Sequence, residues 1–226
     1  MKKIVFVFTF ILIGLSVKSQ LINLEFNAGY GCYNLKDVKA FQNRLSDIGP
    51  LPNIKSVERF PSSAYYSTSL NLSLGSSSQL GVEFSYLTSG GRNHVADYSG
   101  EYKLDMLLNG YKIGAKYQYL IYDRNRLSFG IQIAGGWIMS NLDLTEYMVV
   151  QDVMLIDNKM NLKGKGMYIE SGLRFLYEFS NRMNIHFDMQ YEYDLENKLK
   201  QKGQNVSVQA NWSGIRPSIG ISYQIF

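Results

Sequence analysis

The chain has 226 residues, 46% of them hydrophobic and 14% aromatic, with 23 Lys and Arg against 19 Asp and Glu and a single cysteine. One cysteine excludes a disulfide framework and a cysteine-based zinc cluster. A near-balanced charge without a basic run excludes a nucleic-acid surface, and the length suits one domain.

The chain opens with Lys2 and Lys3, an apolar run from Ile4 to Val17, and the small-residue site Val17-Lys18-Ser19. This is the layout of a secretory signal, with cleavage expected before Gln20. About 14 apolar residues fall short of the ~20 that a membrane-spanning helix needs. Removing residues 1–19 takes away Lys2, Lys3 and Lys18 and no acid, leaving 20 basic against 19 acidic residues in the domain 20–226. Any membrane span in that domain must be built of strands, because only helices and closed barrels satisfy backbone groups in lipid.

Side chains on a strand alternate between two faces, and eight segments alternate between apolar and polar residues. They fall at about 22–34, 64–74, 79–87, 104–121, 126–141, 166–179, 183–194 and 206–225. Cys32 sits on the apolar face of the first. The first connection, 35–63, holds a helix at Leu35–Ile48, with Leu35, Val38, Phe41, Leu45 and Ile48 at three- and four-residue spacing and Gly49-Pro50 ending it. Such a stripe is expected to cover the barrel mouth or meet a partner. Gly75-Ser76-Ser77-Ser78, Tyr122-Asp123-Arg124-Asn125 and Ser180-Asn181-Arg182 read as hairpin turns. The connections 88–103, 142–165 and 195–205 read as long loops alternating with those turns.

In the third long connection, Tyr147-Met148-Val149-Val150 and Val153-Met154-Leu155-Ile156 flank Gln151-Asp152, as in a greasy hairpin standing above the fifth and sixth strands. It is expected to bind a partner or to pack on the Leu35–Ile48 helix. Gly90-Gly91-Arg92 and Gly164-Lys165-Gly166 lack a phosphate-loop pattern and read as turn and loop glycines. In the last strand, Pro217 removes a ladder donor. A bulge near Ser213-Gly214 would relieve it and would shift the phase from Val206, Val208, Ala210 and Trp212 to Ile215, Ile219 and Ile221.

Short and long connections in turn, with an even strand number, are the layout of an outer-membrane barrel. A soluble lipocalin is also eight-stranded but turns its apolar face inward. Volume separates the two. The polar face carries Gly29, Gly81, Gly114, Gly136 and Gly220, while the apolar face carries Phe26, Phe84, Trp137, Phe175 and Tyr223. Small residues fit inside a narrow tube and rings fit outside it. Rings near strand ends (Tyr119, Phe129, Tyr177, Phe179 and Tyr223 at one edge, Tyr30, Tyr86, Trp137, Tyr191 and Tyr193 at the other) match interfacial girdles. The expected fold is all-β: an eight-stranded antiparallel up-and-down transmembrane β-barrel with a short amphipathic helix in the first extracellular loop.

The leader, the strands, the first-loop helix and the ending Arg216-Pro217-Ser218-Ile219-Gly220-Ile221-Ser222-Tyr223-Gln224-Ile225-Phe226 resemble the small outer-membrane β-barrel domains of Bacteroidota, the PorT-like group, and OmpX-like barrels. The resemblance implies a place in the outer membrane and, from the namesake, a part in assembling a secretion apparatus.

Inside the tube the expected charges are Glu25, Glu83, Lys112, Lys116, Glu170, Arg174, Glu178, Asp188, Glu192 and Arg216. They must pair, because unpaired buried charge is costly. Arg216 is expected to pair with Glu192 or Asp188. His186, two residues from Asp188, also faces inward, and His94 falls in the second long connection. No serine motif accompanies His186, and no metal-ligand spacing stands out. No catalytic residue, cofactor or metal is therefore assigned. The expected function is non-enzymatic: a plugged barrel that displays its loops for structure or interaction, with Phe41, Tyr147, Met148, Val149, Met154 and Leu155 as candidate partner surface. The alternative is a narrow pore or a small hydrophobic-solute conduit, and an enzyme acting on lipid is a third reading. Expected partners are outer-membrane lipid and an envelope or surface protein; the oligomeric state is left open.

Overall fold

The computed structural model describes residues 22–49, 56–201 and 207–225. The expected signal segment, Pro50, Val206 and Phe226 lie outside the described residues. The elements run β1 (Ile22–Tyr33), α1 (Lys36–Ile48), β2 (Ser56–Arg59), β3 (Ser63–Ser73), β4 (Ser78–Asp97), β5 (Gly100–Arg124), β6 (Leu127–Val150), β7 (Val153–Ser180), β8 (Met183–Lys200), β9 (Ser207–Gln209) and β10 (Gly214–Gln224).

Eight of the strands close a ring. Each pairs antiparallel with the next from β1 through β3 to β8, and β10 closes the circle by pairing with both β8 and β1. Closure satisfies backbone groups that an open sheet would leave free. Phe26, Val82, Ile113, Ile133, Phe175 and Ile219 point outward and are exposed, as are the other large apolar side chains of the same band. An apolar band around a whole ring far exceeds the few hundred Å² that soluble monomers leave bare. The polar face points inward, opposite to a lipocalin.

The strands are much longer than expected. β7 has 28 residues, roughly 95 Å of chain at ~3.4 Å per residue, whereas ~9–11 residues cross a membrane. The connections 88–103 and 142–165 are therefore not loops but paired strand. β4 and β5 continue to a two-residue turn at Tyr98-Ser99, where Asp97 accepts from the Ser99 amide, the Ser99 hydroxyl and the Gly100 amide. Those donors hold the Asp97 carboxyl below its ordinary range. β6 and β7 continue to Gln151-Asp152, whose φ values of 49° and 61° are those of the primed turn that suits a twisted hairpin. The glycines at 90–91 and 164–166 consequently lie inside strands.

Because β1, β3 and β10 stop early, β4 to β8 rise above the ring as an open half-pipe. Its two free edges are both covered. β2 pairs with β4 at Gly91–Asn93 after β3 has ended, and β9 pairs with β8 at Lys198–Lys200 after β10 has ended. Covering an edge removes a template for unwanted pairing.

Helix α1 sits against β4 and β9. Its buried seam is Val38, Gln42 and Ser46, next to the buried Leu35. This corrects the expected stripe: Phe41 and Leu45 are only half-buried, and Ile48 is 83% exposed. The Gln42 amide donates to the Glu58 carbonyl at 2.9 Å and to Asn93 Oδ1 at 2.8 Å, and Asn93 in turn bonds Ser46. The seam can be polar because β2 and β4 supply its partners.

The last strand is also corrected. β9 and β10 are separate, and no phase change occurs between them. Val208, Ala210 and Trp212 are buried on the same side as Arg216 and Ser218. What changes along this face is the interior, which is apolar above and charged below. Pro217 pairs only with Met189 of β8, so the ladder toward β1 carries its missing donor.

Gly114 and Gly136 face each other across β5 and β6. A Cβ at 136 would collide with the Ile113 carbonyl and the Gly114 Cα. Gly136→Val is expected to destabilise the barrel by about 1–3 kcal/mol, read as a lower urea midpoint for loss of the compact band on unboiled gels; an unchanged midpoint would contradict this packing.

Candidate functional site

Five carboxylates and four cations share the lower interior, and all nine side chains are at most 3% exposed. They fall into two tiers. The lower tier is centred on Arg174 and Lys116. Arg174 grips Asp188 in a fork, with Nε to Oδ1 at 2.8 Å and Nη2 to Oδ2 at 2.7 Å, and its Nη1 donates to Glu25 Oε1 at 2.7 Å. Lys116 donates to Glu25 at 2.9 Å and to the Ser69 hydroxyl at 2.9 Å, and lies 3.2 Å from Glu83. Planar fork geometry and shared carboxylates make these strong charge-assisted bonds.

The upper tier is a square of Lys112, Glu170, Glu192 and Arg216. Lys112 donates to Glu170 at 2.9 Å and to Glu192 at 2.6 Å. Arg216 bonds Glu170 and lies 2.9 Å from Glu192. Two rings flank it: Lys112 Nζ lies 3.9 Å from the centroid of Tyr168, and the Arg216 guanidinium lies 4.9 Å from that of Tyr65. Of the ten charges expected inside, Glu178 is the one left out. It is half-exposed two residues from the end of β7 and takes part in no ion pair among the described residues, because the tube opens to solvent there.

Above the upper tier the interior turns apolar. Trp212 is fully buried, donates its indole N–H to Ser140 at 2.8 Å and meets Tyr33 edge-on at 4.8 Å. Gly110 leaves the space that the Trp212 ring fills. Beyond it Leu104, Leu108, Leu142, Leu162 and Leu199 form a packed plug with Leu35, which precedes α1, and with Val38 of α1. The sequence reading missed this plug. Its signal was present in β5, where Leu104, Met106 and Leu108 share parity with Lys112 and Lys116. Apolar residues on a face that is charged lower down mean that the wall encloses a second, drier compartment.

His186 is buried in the lower tier, bonded to Asn27 and 3.8 Å from Asp188. His94 is on the raised wall with Glu101 at 3.0 Å. Among the described residues no group of three or more His, Cys, Asp or Glu side chains is placed to hold a metal ion. Cys32 is exposed on the outer face of β1.

Of the candidate partner residues, Met154 and Leu155 are 57% and 58% exposed at the tip of the β6–β7 hairpin, beside Val153 at 58%. Val149, opposite Met154, and Tyr147, lower on the hairpin, are half-buried, while Met148 and Phe41 pack against the apolar plug. The surface the structure exposes is thus the tip, 153–155, rather than the whole set.

No family model matches the sequence, and no curated protein matches it. The fold does have solved counterparts. A major outer membrane protein from Thermus thermophilus is similar with a TM-score of 0.55 at 9% identity, covering 90% of this chain and 99% of that one. Neisserial surface protein A is similar at a TM-score of 0.43 and 12% identity over 92% and 100% of the two chains. OprG from Pseudomonas aeruginosa gives 0.42 and 13% over 91% and 95%. The first of these likenesses shows the fold, an antiparallel β-barrel, and nothing finer.

Removing Arg174 would leave Glu25 and Asp188 short of their main partner in a dry interior. Arg174→Met is expected to cost about 3–5 kcal/mol, measured by urea unfolding in detergent. Replacing Arg174, Glu25 and Asp188 together with apolar residues of similar volume should recover much of the loss; a single Arg174→Met variant as stable as the parent would refute the network as described.

Proposed function

We propose that the chain is an exported, integral outer-membrane β-barrel of PorT-like or OmpX-like type, synthesised with residues 1–19 as a cleavable signal, and that it works by display rather than by transport or catalysis. The bare apolar band supports the membrane reading, since lipid is the solvent such a band requires. The single observation that carries the display reading is the filled interior. Two ion-pair tiers and an apolar plug occupy the tube from the Arg174 level to α1, so its length serves no conduit. What remains for action is the raised half-pipe and its tip.

The tip supports an interaction role. Val153, Met154 and Leu155 are exposed at a primed-turn hairpin, and exposed apolar residues held on paired strands suit recognition by another envelope or surface protein. A part in secretion-apparatus assembly is the form of this role that the PorT-like resemblance suggests. The expected stripe-on-hairpin packing does not compete for the tip, because α1 lies against β4 and β9.

The triple variant Val153→Ser, Met154→Ser, Leu155→Ser should keep the heat-modifiable folded band, since those side chains are outside the core. It should also lose at least tenfold in the yield of its specific partner on cross-linking in intact outer membranes. Undiminished capture, or a mature chain recovered in the soluble periplasmic fraction, would contradict the proposal.

A further inference from the structure

The outer wall of the half-pipe carries an arrangement that its own stability disfavours. Lys163 of β7 lies directly opposite Lys200 of β8, and Lys165 lies directly opposite Lys198. All four are exposed on the outer face. Like charges facing each other across a strand pair repel. At ~4.8 Å between strands and ~3.4 Å per residue, the four Cβ positions fill a rectangle of roughly 5 by 7 Å. The acids nearby do not neutralise them. Glu196 lies 3.5 Å from Lys198 but is 80% exposed, and Asp143 accepts hydrogen bonds from Asn141 and Asn161. Among the described residues, Lys163, Lys165 and Lys200 have no ion-pair partner within 4 Å.

A bulge puts two of the lysines there. Gly166 of β7 faces both Glu196 and Asn197, with Lys165 paired to Lys198 on one side and Met167 to Leu195 on the other. Glu196 takes φ 55°, and a Cβ at 166 would crowd Asn197. Below the bulge the outward residues of β8 are odd-numbered; above it they are Lys198 and Lys200, while Asn197 and Leu199 are buried. Re-aiming side chains is what such a bulge does.

The register also fixes the height of the quartet. Trp137, Met167 and Leu195 form the row of the apolar band immediately beneath Met139, Lys165 and Lys198. One groove of about 710 Å³ runs from Tyr111 and Met139 to the four lysines. Its lining is apolar at Tyr111 and Met139 and cationic at the four lysines, with Glu196 also on the wall, one row above the apolar band.

We propose that Lys163, Lys165, Lys198 and Lys200 bind the phosphate groups of an anionic glycolipid in the leaflet on the raised side of the barrel. This rests on the reading of the chain as an outer-membrane barrel. The phosphates sit between the paired ammonium groups and screen their repulsion, while an acyl chain lies along Met139 and Tyr111. The groove's continuity with the apolar band favours a lipid over a free polyanion, which would need no apolar wall.

The full-length processed protein, folded in zwitterionic detergent micelles, is titrated with bis-phosphorylated lipid A, with dephosphorylated lipid A and with inositol hexakisphosphate. The fluorescence of Trp137, one row below the quartet, reports binding; the other tryptophan, Trp212, is fully buried. Bis-phosphorylated lipid A should bind at least tenfold more tightly than either other probe. The quadruple Lys→Gln variant at 163, 165, 198 and 200 should lose at least tenfold for that lipid, and the quadruple Lys→Arg variant should stay within about threefold of the parent. The pair Lys198→Gln, Lys200→Gln gives an intermediate loss should the quadruple Gln variant fail to fold. Equal binding by the Gln variants overturns the proposal, and so does inositol hexakisphosphate binding as tightly as the lipid. Failure of the parent to insert into bilayers would instead count against the membrane reading, while the micelle titration still scores the lysines.

Discussion

Nine charged side chains share an interior that holds almost no solvent-exposed surface. Buried charge is tolerated only when it is paired and its remaining hydrogen-bonding groups find partners. That requirement shapes the rest of the lower barrel. Ring closure brings β1, β7 and β8 to positions where Glu25, Arg174 and Asp188 meet, although Glu25 and Arg174 are 149 residues apart in sequence. Gly114 leaves room for the Tyr168 hydroxyl that covers Lys112, and Gly220 leaves room for Asn27 and His186 beside the lower tier. With the polar groups committed inward, the outside is left to Phe, Tyr, Ile and Val, which need lipid.

The same tube solves a different problem higher up. Above the Lys112–Arg216 square the wall stands clear of the apolar band and its outer face becomes polar, with Asp105, Asn141, Lys163 and Lys198. The inner face can then be apolar, and Trp212, Leu108 and Leu142 build an ordinary hydrophobic core beneath α1. The chain therefore inverts its layering partway along the same strands: greasy outside and charged inside below, charged outside and greasy inside above. The lower part is filled by ion pairs and the upper part by apolar side chains.

Sequence periodicity made the ring, the orientation of its faces and nine of the ten interior charges legible, because each depends on parity within a strand. It misplaced what depends on height. β4 to β7 run past the segments that the alternation marks, because above the band apolar side chains move to the inner face. Val208, Ala210 and Trp212 read as lipid-facing for the same reason, whereas they face the plug. Glu178 has the inward parity but lies past the last tier. Pairings within the interior were beyond the sequence altogether, because a one-residue change of register would give Arg174 different neighbours. The bulge at Glu196, which turns Lys198 and Lys200 outward, left no trace in the residue pattern.

The central claim is that the interior is filled from the lower ion-pair tier to the helix. Single-channel recording of the folded protein in a planar lipid bilayer tests it most directly. The parent barrel should give a flat trace, and stable stepwise conductance from that same protein would contradict a filled interior.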